Sequence, residues 1–163
     1  MAPEWYAVRT RSRHEKRVHE ALQGRGLEVF LPLWARLSRW KDRNRSVEFP
    51  LFPGYCFVRL ELENRLLVLT APGVANLVGF AGEPAAIPSP EIDAVRVLVA
   101  GPLRYDPHPF LTEGMEVEVI RGPLAGVRGR LVRKDRTARL VIAIHLIRQA
   151  AAVEIDAADV QPV

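Results

Sequence analysis

The sequence is poor in the residues on which most site chemistry depends. Of 163 residues only Cys56 is a cysteine, so no intramolecular disulfide exists. Set in an apolar run, its thiol reads as a small buried hydrophobe. The histidines His14, His19, His108 and His145 lack the Cys, Asp or Glu pairings that make a metal site. His14 and His19 stand five apart, not at the i, i+4 spacing that shares a helical face. The glycine-rich stretch Gly122-Pro123-Leu124-Ala125-Gly126-Val127-Arg128-Gly129 lacks the Gly-Lys-Ser/Thr ending of a phosphate cradle, and Pro123 removes a backbone donor. No nucleophile elbow or suggestive carboxylate pair is present. These absences argue against an enzyme, a metal site and a cofactor.

Long apolar runs are also missing. The most apolar stretch, Leu66 to Ile87, is broken by Pro72, Gly73, Asn76 and Glu83, short of the roughly 20 apolar residues that span a bilayer. From Met1 the chain passes directly to the strand-like Trp5-Tyr6-Ala7-Val8, without the charged and apolar regions of a signal peptide. A cytoplasmic protein with no membrane partner is expected.

What is present is ordinary for a packed core: 48% hydrophobic against 26% charged residues lies well outside the disordered regime. A net charge of +4 permits an anionic partner, and its distribution says more. Arg9, Arg11, Arg13, Lys16 and Arg17 crowd one stretch; Arg36, Arg39, Lys41, Arg43 and Arg45 crowd another.

Trp5 to Arg9 predicts a strand, and Ser12-Arg13-His14-Glu15 fits a capping box that opens a helix with Val18, Ala21 and Leu22 on its apolar face. Leu27 to Leu33 reads as a strand. Trp34 to Trp40, a turn at Lys41 to Asn44 and Arg45 to Phe49 form a basic hairpin. Tyr55 to Leu60 predicts a strand; Leu62, Leu66 and Leu69 show helical spacing, stopped by Pro72-Gly73. A short strand, Asn76 to Phe80, precedes a helix capped by Ser89 with Pro90 at its first position, running through Ile92, Val95 and Val99.

Pro102, Pro107 and Pro109, in a stretch without hydrophobic periodicity, mark a linker. Beyond it Met115 to Ile120, Val127 to Arg133, Leu140 to His145 and Ala151 to Ile155 are short β-rich runs of the kind that make a small barrel. The expected architecture is α+β: residues 1–102 as an antiparallel sheet with packed helices, 103–110 as the linker, and 111–163 as the barrel.

Two stretches resemble a known family. Phe49-Pro50-Leu51-Phe52-Pro53-Gly54-Tyr55-Cys56-Phe57-Val58, followed by Pro72-Gly73-Val74 and Leu77-Val78-Gly79-Phe80, resembles the signature of NusG N-terminal domains. Gly114-Met115-Glu116-Val117 with Gly122 to Gly129 resembles a KOW motif, and Val153-Glu154-Ile155 with Asp159-Val160 the family's closing strand. The resemblance implies an N-terminal domain joined to a five-stranded SH3-like barrel, no catalysis, and action as an elongation factor that binds RNA polymerase and alters pausing and termination. The Arg-rich hairpin and the Pro-Leu-Phe-Pro spelling are closer in character to antitermination paralogues of the RfaH-like and UpxY-like kind.

On that resemblance Leu51, Phe52, Pro53, Tyr55, Asn64 and Arg65 are expected at the polymerase, the first four as an exposed apolar patch. Arg11, Arg13, His14, Arg17, Arg39, Lys41 and Arg43 are expected at the non-template DNA strand. Leu124, Leu146, Ile147, Arg148 and Gln149 are expected to meet a ribosomal protein or a termination factor, with Ile147 exposed and Leu146 inside. A monomer is expected. The competing readings are core packing for Phe52 and Tyr55, a solvated turn for the basic hairpin, an ordinary barrel turn for His145 to Gln149, and, for the whole chain, a ribosome-associated KOW-type RNA-binding protein.

Overall fold

The structure, a computed structural model, describes every residue except Met1, Lys41, Asp42, Thr112, Asp135 and Arg136, and backbone alone for residues 36–40, 43–46 and Lys134. By packing the chain divides into Met1–Pro84 and Ala85–Val163. All its described strand pairings are antiparallel and its helices few, the mixed α and β class expected.

In the first unit, β1 (Glu4–Thr10) lies between β5 (Tyr55–Leu60) and β6 (Val74–Leu77), and β2 (Glu28–Phe30) pairs with the other edge of β5. Trp5, Tyr6, Ala7 and Val8 are buried in succession, as in a strand covered on both faces. Tyr6 and Val8 of β1, with Cys56, Val58 and Leu60 of β5, pack against Val18 and Leu22 of α1 (Glu15–Gly24) and Val68 of α2 (Leu66–Leu69). Each such fully buried aliphatic side chain contributes about 1.5–3 kcal/mol of transfer free energy. The hairpin of β3 (Leu33–Trp40) and β4 (Arg43–Pro50) forms as the sequence implies; its expected turn includes Lys41 and Asp42, outside the described residues. A second hairpin pairs β7 (Gly79–Phe80) with β8 (Glu83–Pro84), where a single strand through Phe80 was expected.

The capping box does not form. Arg13 adopts a left-handed backbone (φ 64°), and the His14 N–H donates to the Arg11 carbonyl at 3.0 Å, so the chain turns before the helix begins. His14 occupies the N-cap without a side-chain bond, and Glu15, buried at 6% exposure, sends its carboxylate to the Gly54 N–H at 2.9 Å. The helix expected from the spacing of Leu62, Leu66 and Leu69 forms as α2, with a different residue turned inside. A 3₁₀ turn at Leu62–Asn64 shifts the phase, and Val68 is the buried residue of α2.

In the second unit, α3 (Ser89–Ala100) buries Ile92, Val95 and Leu98 and lies against β12 (Thr137–Ile144). The strands run in the order β14 (Val160–Pro162), β10 (Met115–Val119), β11 (Arg128–Lys134), β12, β13 (Gln149–Ile155), β9 (Tyr105–His108). Four of the six, β10 to β13, lie at the β-rich runs expected of the second domain, and β14 follows at the closing segment of Asp159-Val160. The sixth, β9, lies within the expected linker and pairs with β13, placing Tyr105 opposite Val153 and His108 opposite Ala150. Pro107 is tolerated because β9 is an edge strand. The spatial division after Pro84 also comes earlier than the expected boundary at residue 102.

Candidate functional site

The turn that carries the strongest motif is held from three directions. Gly54 takes the left-handed backbone that closes it (φ 86°). The Thr10 N–H donates to the Gly54 carbonyl at 2.8 Å, Glu15 accepts from the Gly54 N–H, and the Leu51 N–H donates to the Pro32 carbonyl at 2.9 Å. Pro53 is exposed and Tyr55 half-buried. Leu51 and Phe52, by contrast, are each only 1% exposed, so the apolar surface patch expected from these two residues is absent. Phe52 packs edge-on to Phe57, with ring centroids 6.2 Å apart at 84°. A tight turn folded back on its own sheet buries the aromatic that precedes the proline.

Exposed apolar surface in this unit lies elsewhere, beside Asn64 and Arg65, both exposed. On α2, Leu66 is 67%, Leu67 41% and Leu69 39% exposed; on the second hairpin Phe80 is 72% exposed. Arg65 reaches Glu83 of that hairpin at 4.0 Å, which brings the two elements together. Ala81 and Gly82, with φ of 52° and 81°, form the left-handed pair that a two-residue hairpin turn demands. From behind, Arg25 donates to the Leu67 carbonyl at 2.9 Å and to Thr70 Oγ1 at 2.8 Å. Sequence reasoning missed the four apolar residues. The available signal was a four-residue helix too short to bury three leucines, and an aromatic directly before Ala-Gly.

Of the residues expected at DNA, Arg11, Arg13 and Arg17 are exposed along the approach to α1 and its first turns. His14 is half-buried; its Nδ1 is shielded from solvent and has no hydrogen-bond partner among the described residues. Arg39 and Arg43 sit at the end of the first hairpin, Arg39 opposite Asn44 and Arg43 opposite Trp40, while Lys41 lies outside the described residues.

In the second unit the expected partner face is rearranged. Residues His145–Ile147 form a 3₁₀ turn instead of a strand, so period-two alternation does not apply. Ile147 is buried at 6% exposure and Leu146 half-buried, the reverse of the expectation; Leu124 is also buried, at 1%. Arg148, exposed and left-handed (φ 52°), stacks its guanidinium 5.0 Å from the Phe110 ring centre, and Gln149 is half-buried. The same ring meets His145 edge-on at 5.6 Å, and Glu91 of α3 accepts from the His145 N–H at 2.9 Å. Beside this cluster a cavity of about 540 Å³ is lined by Ala94, Val97, Leu111, Val141, Ala143 and Val163 among others.

Titratable groups with displaced pKa values are dispersed. Burial, then the charge of Glu15, pushes the Cys56 thiol up to about 12; burial and Glu4 raise Tyr6. Burial lowers His19, and burial with Arg139 lowers His108 against the opposing pull of Asp106. A hydrogen bond with Glu61 and its like charge raise Glu63, and none of these five groups lines the 540 Å³ cavity. Among the described residues no cluster of three His, Cys, Asp or Glu is placed to hold a metal, and no helix is long and apolar enough to cross a membrane.

Comparison with known proteins adds a lineage to this geometry. Residues 3–96 match the family described as NusG, transcription termination factor nusG. The transcription termination/antitermination protein NusG of Pseudomonas aeruginosa is 29% identical over 100% of both chains. That of Treponema pallidum is 28% identical over 99% of each. A solved structure described as "Domain interaction in Thermotoga maritima NusG" shares the fold, with a TM-score of 0.59 at 23% identity, covering 99% of this chain and 97% of that one.

Proposed function

Because the chain belongs to the NusG family, we propose that it is a transcription elongation factor that binds RNA polymerase through its N-terminal domain and changes pausing and termination without catalysing a reaction. The observation that carries this reading is the exposed apolar surface of Leu66, Leu67, Leu69 and Phe80 around Asn64 and Arg65. Soluble monomers rarely leave such surface uncovered without a partner for it. Pro53 and Tyr55 are the accessible members of the motif turn and extend the polymerase contact; Leu51 and Phe52 support it from beneath. Arg11, Arg13 and Arg17, with the basic hairpin, suit the phosphates of an exposed DNA strand, and His14 adds an imidazole at the same edge.

Residues 1–102 act as the polymerase-binding domain in this reading, and the family match through residue 96 supports counting α3 with it in sequence although it rests on β12 here. Residues 111–163 act as a KOW-type barrel for a second partner, a ribosomal protein or termination factor. Leu146, Arg148 and Gln149 form its accessible face, with Leu124 and Ile147 behind them.

The test is recovery of the tagged protein from cells, followed by a pause assay on a purified elongation complex. Polymerase in the eluate and altered pause lifetimes support the reading. Ribosomes in place of polymerase, with unaltered pausing, would establish the RNA-binding alternative.

A further inference from the structure

Glu15 is an acidic residue in a basic stretch, and it is buried. Arg11, Arg13, Lys16 and Arg17 around it are exposed, whereas Glu15 retains 6% of its accessibility. Among the described residues its carboxylate is bonded to no cation and to no group of its own helix; its bond, from the Gly54 N–H at 2.9 Å, spans 39 residues of chain. Gly54 belongs to the left-handed turn between exposed Pro53 and half-buried Tyr55, and its carbonyl is bound in turn by the Thr10 N–H at 2.8 Å. Both backbone polar groups of this one glycine are thus tied to the segment that leads into α1. The same carboxylate lies close enough to Cys56 for its charge to reinforce the effect of burial on that thiol.

We propose that Glu15 is a positioning residue for the polymerase contact: by holding the Gly54 N–H it sets the Pro53-Gly54-Tyr55 turn against α1, so that the turn and the exposed arginines of the same helix approach an elongation complex as one rigid edge. The inference rests on the polymerase-binding reading and deepens it. What the position requires is an acceptor of carboxylate shape, so Glu15→Gln preserves the function and Glu15→Ala removes it.

Two readouts on the full-length chain separate the possibilities. In amide hydrogen exchange followed by NMR, the Gly54 N–H is protected in the wild type and in Glu15→Gln, and exchanges at least tenfold faster in Glu15→Ala. In titrations against purified RNA polymerase, Glu15→Ala binds about tenfold more weakly and Glu15→Gln within twofold of wild type. Val18→Ala, which trims the same helix at a residue that makes none of the turn's described hydrogen bonds, serves as the control for lost stability and keeps wild-type affinity at a temperature where all variants are folded. Unchanged Gly54 exchange in Glu15→Ala overturns the proposal whatever polymerase does. Equal weakening by Val18→Ala, or by Glu15→Gln, overturns it in favour of general stability or of charge. Tyr55→Ser tests the reading beneath it: if that variant binds as wild type, the turn is no polymerase contact and the reading of this turn fails, whereas weakening by Tyr55→Ser but not by Glu15→Ala sinks the positioning role alone.

Discussion

Replacing Leu66 and Phe80 with serine separates binding from folding. Leu66 is 67% and Phe80 72% exposed, so most of each side chain contributes nothing to the core. Surface changes of this kind alter stability by about 0.5 kcal/mol or less. At an interface the account differs. Full burial of a leucine or phenylalanine is worth about 1.5–3 kcal/mol, so covering the exposed two-thirds yields about 1–2 kcal/mol for each. The double variant therefore forfeits about 2–4 kcal/mol of binding, and at about 1.4 kcal/mol per factor of ten this is a loss of roughly thirtyfold to several hundredfold. The contribution is directional as well: Arg65 and Glu83 join the two elements, so removing either apolar residue alone leaves its neighbour partly effective. The assay is binding to immobilised RNA polymerase beside thermal melting of the same samples. Affinity within threefold of wild type, with an unchanged melting temperature, would refute the assignment of this surface.

Phe52→Ala, at a ring 1% exposed, should cost about 3–5 kcal/mol of stability in chemical denaturation, not merely affinity. Neutralising Arg13 and Arg17 as glutamines should flatten the salt dependence of single-strand DNA binding by about 0.7 for each phosphate no longer neutralised, read from the slope of log affinity against log salt. Cys56, raised from 9.0 to about 12, keeps its proton in the fold after the unfolded chain has lost it. Its contribution is therefore complete below pH 9 and declines between pH 9 and about 12 at up to about 1.4 kcal/mol per pH unit, a decline that Cys56→Ala removes in alkaline denaturation series. His108, lowered by burial and by Arg139, acts in the opposite direction: it favours the fold above the ordinary histidine range and loses that effect on acidification, so His108→Gln should flatten the acid limb of the stability profile.

Strand β5 was legible to the residue, because Pro53-Gly54 marks its start and an aromatic, β-branched run continues from there. The apolar face of α1 was equally plain: Val18 and Leu22 are fully buried and Arg13, Lys16 and Arg17 exposed. What sequence could not carry was phase. Leu62, Leu66 and Leu69 have helical spacing, but the 3₁₀ turn that starts the segment leaves Leu62 against the core, turns Leu66 and Leu69 outward and turns Val68 in. The 3₁₀ turn at His145–Ile147 similarly exchanges the expected places of Leu146 and Ile147. Long-range bonds escaped as well. Ser12 and Glu15 have the local spelling of a capping box, and only the distant turn at Gly54 diverts the carboxylate. Strand β9 was hidden because its proline content signals a linker while its pairing depends on β13, more than 40 residues away along the chain.

That ninth strand sets a leash length. With Tyr105–His108 zipped to β13, the chain leaving Ala100 at the end of α3 must be caught again at Tyr105, five residues on. Fully stretched, such a span reaches roughly 18 Å. Were β9 peeled off and the Phe110 ring released with it from His145 and Arg148, the next strand would be β10 at Met115, and the reach from α3 would grow to roughly 50 Å. A four-residue edge strand therefore sets the distance between α3 and the sheet. While it is engaged, α3 and the sheet share one neighbourhood; once it is released, α3 explores a volume larger by roughly the cube of a threefold change in radius, and its local concentration at β12 falls in proportion.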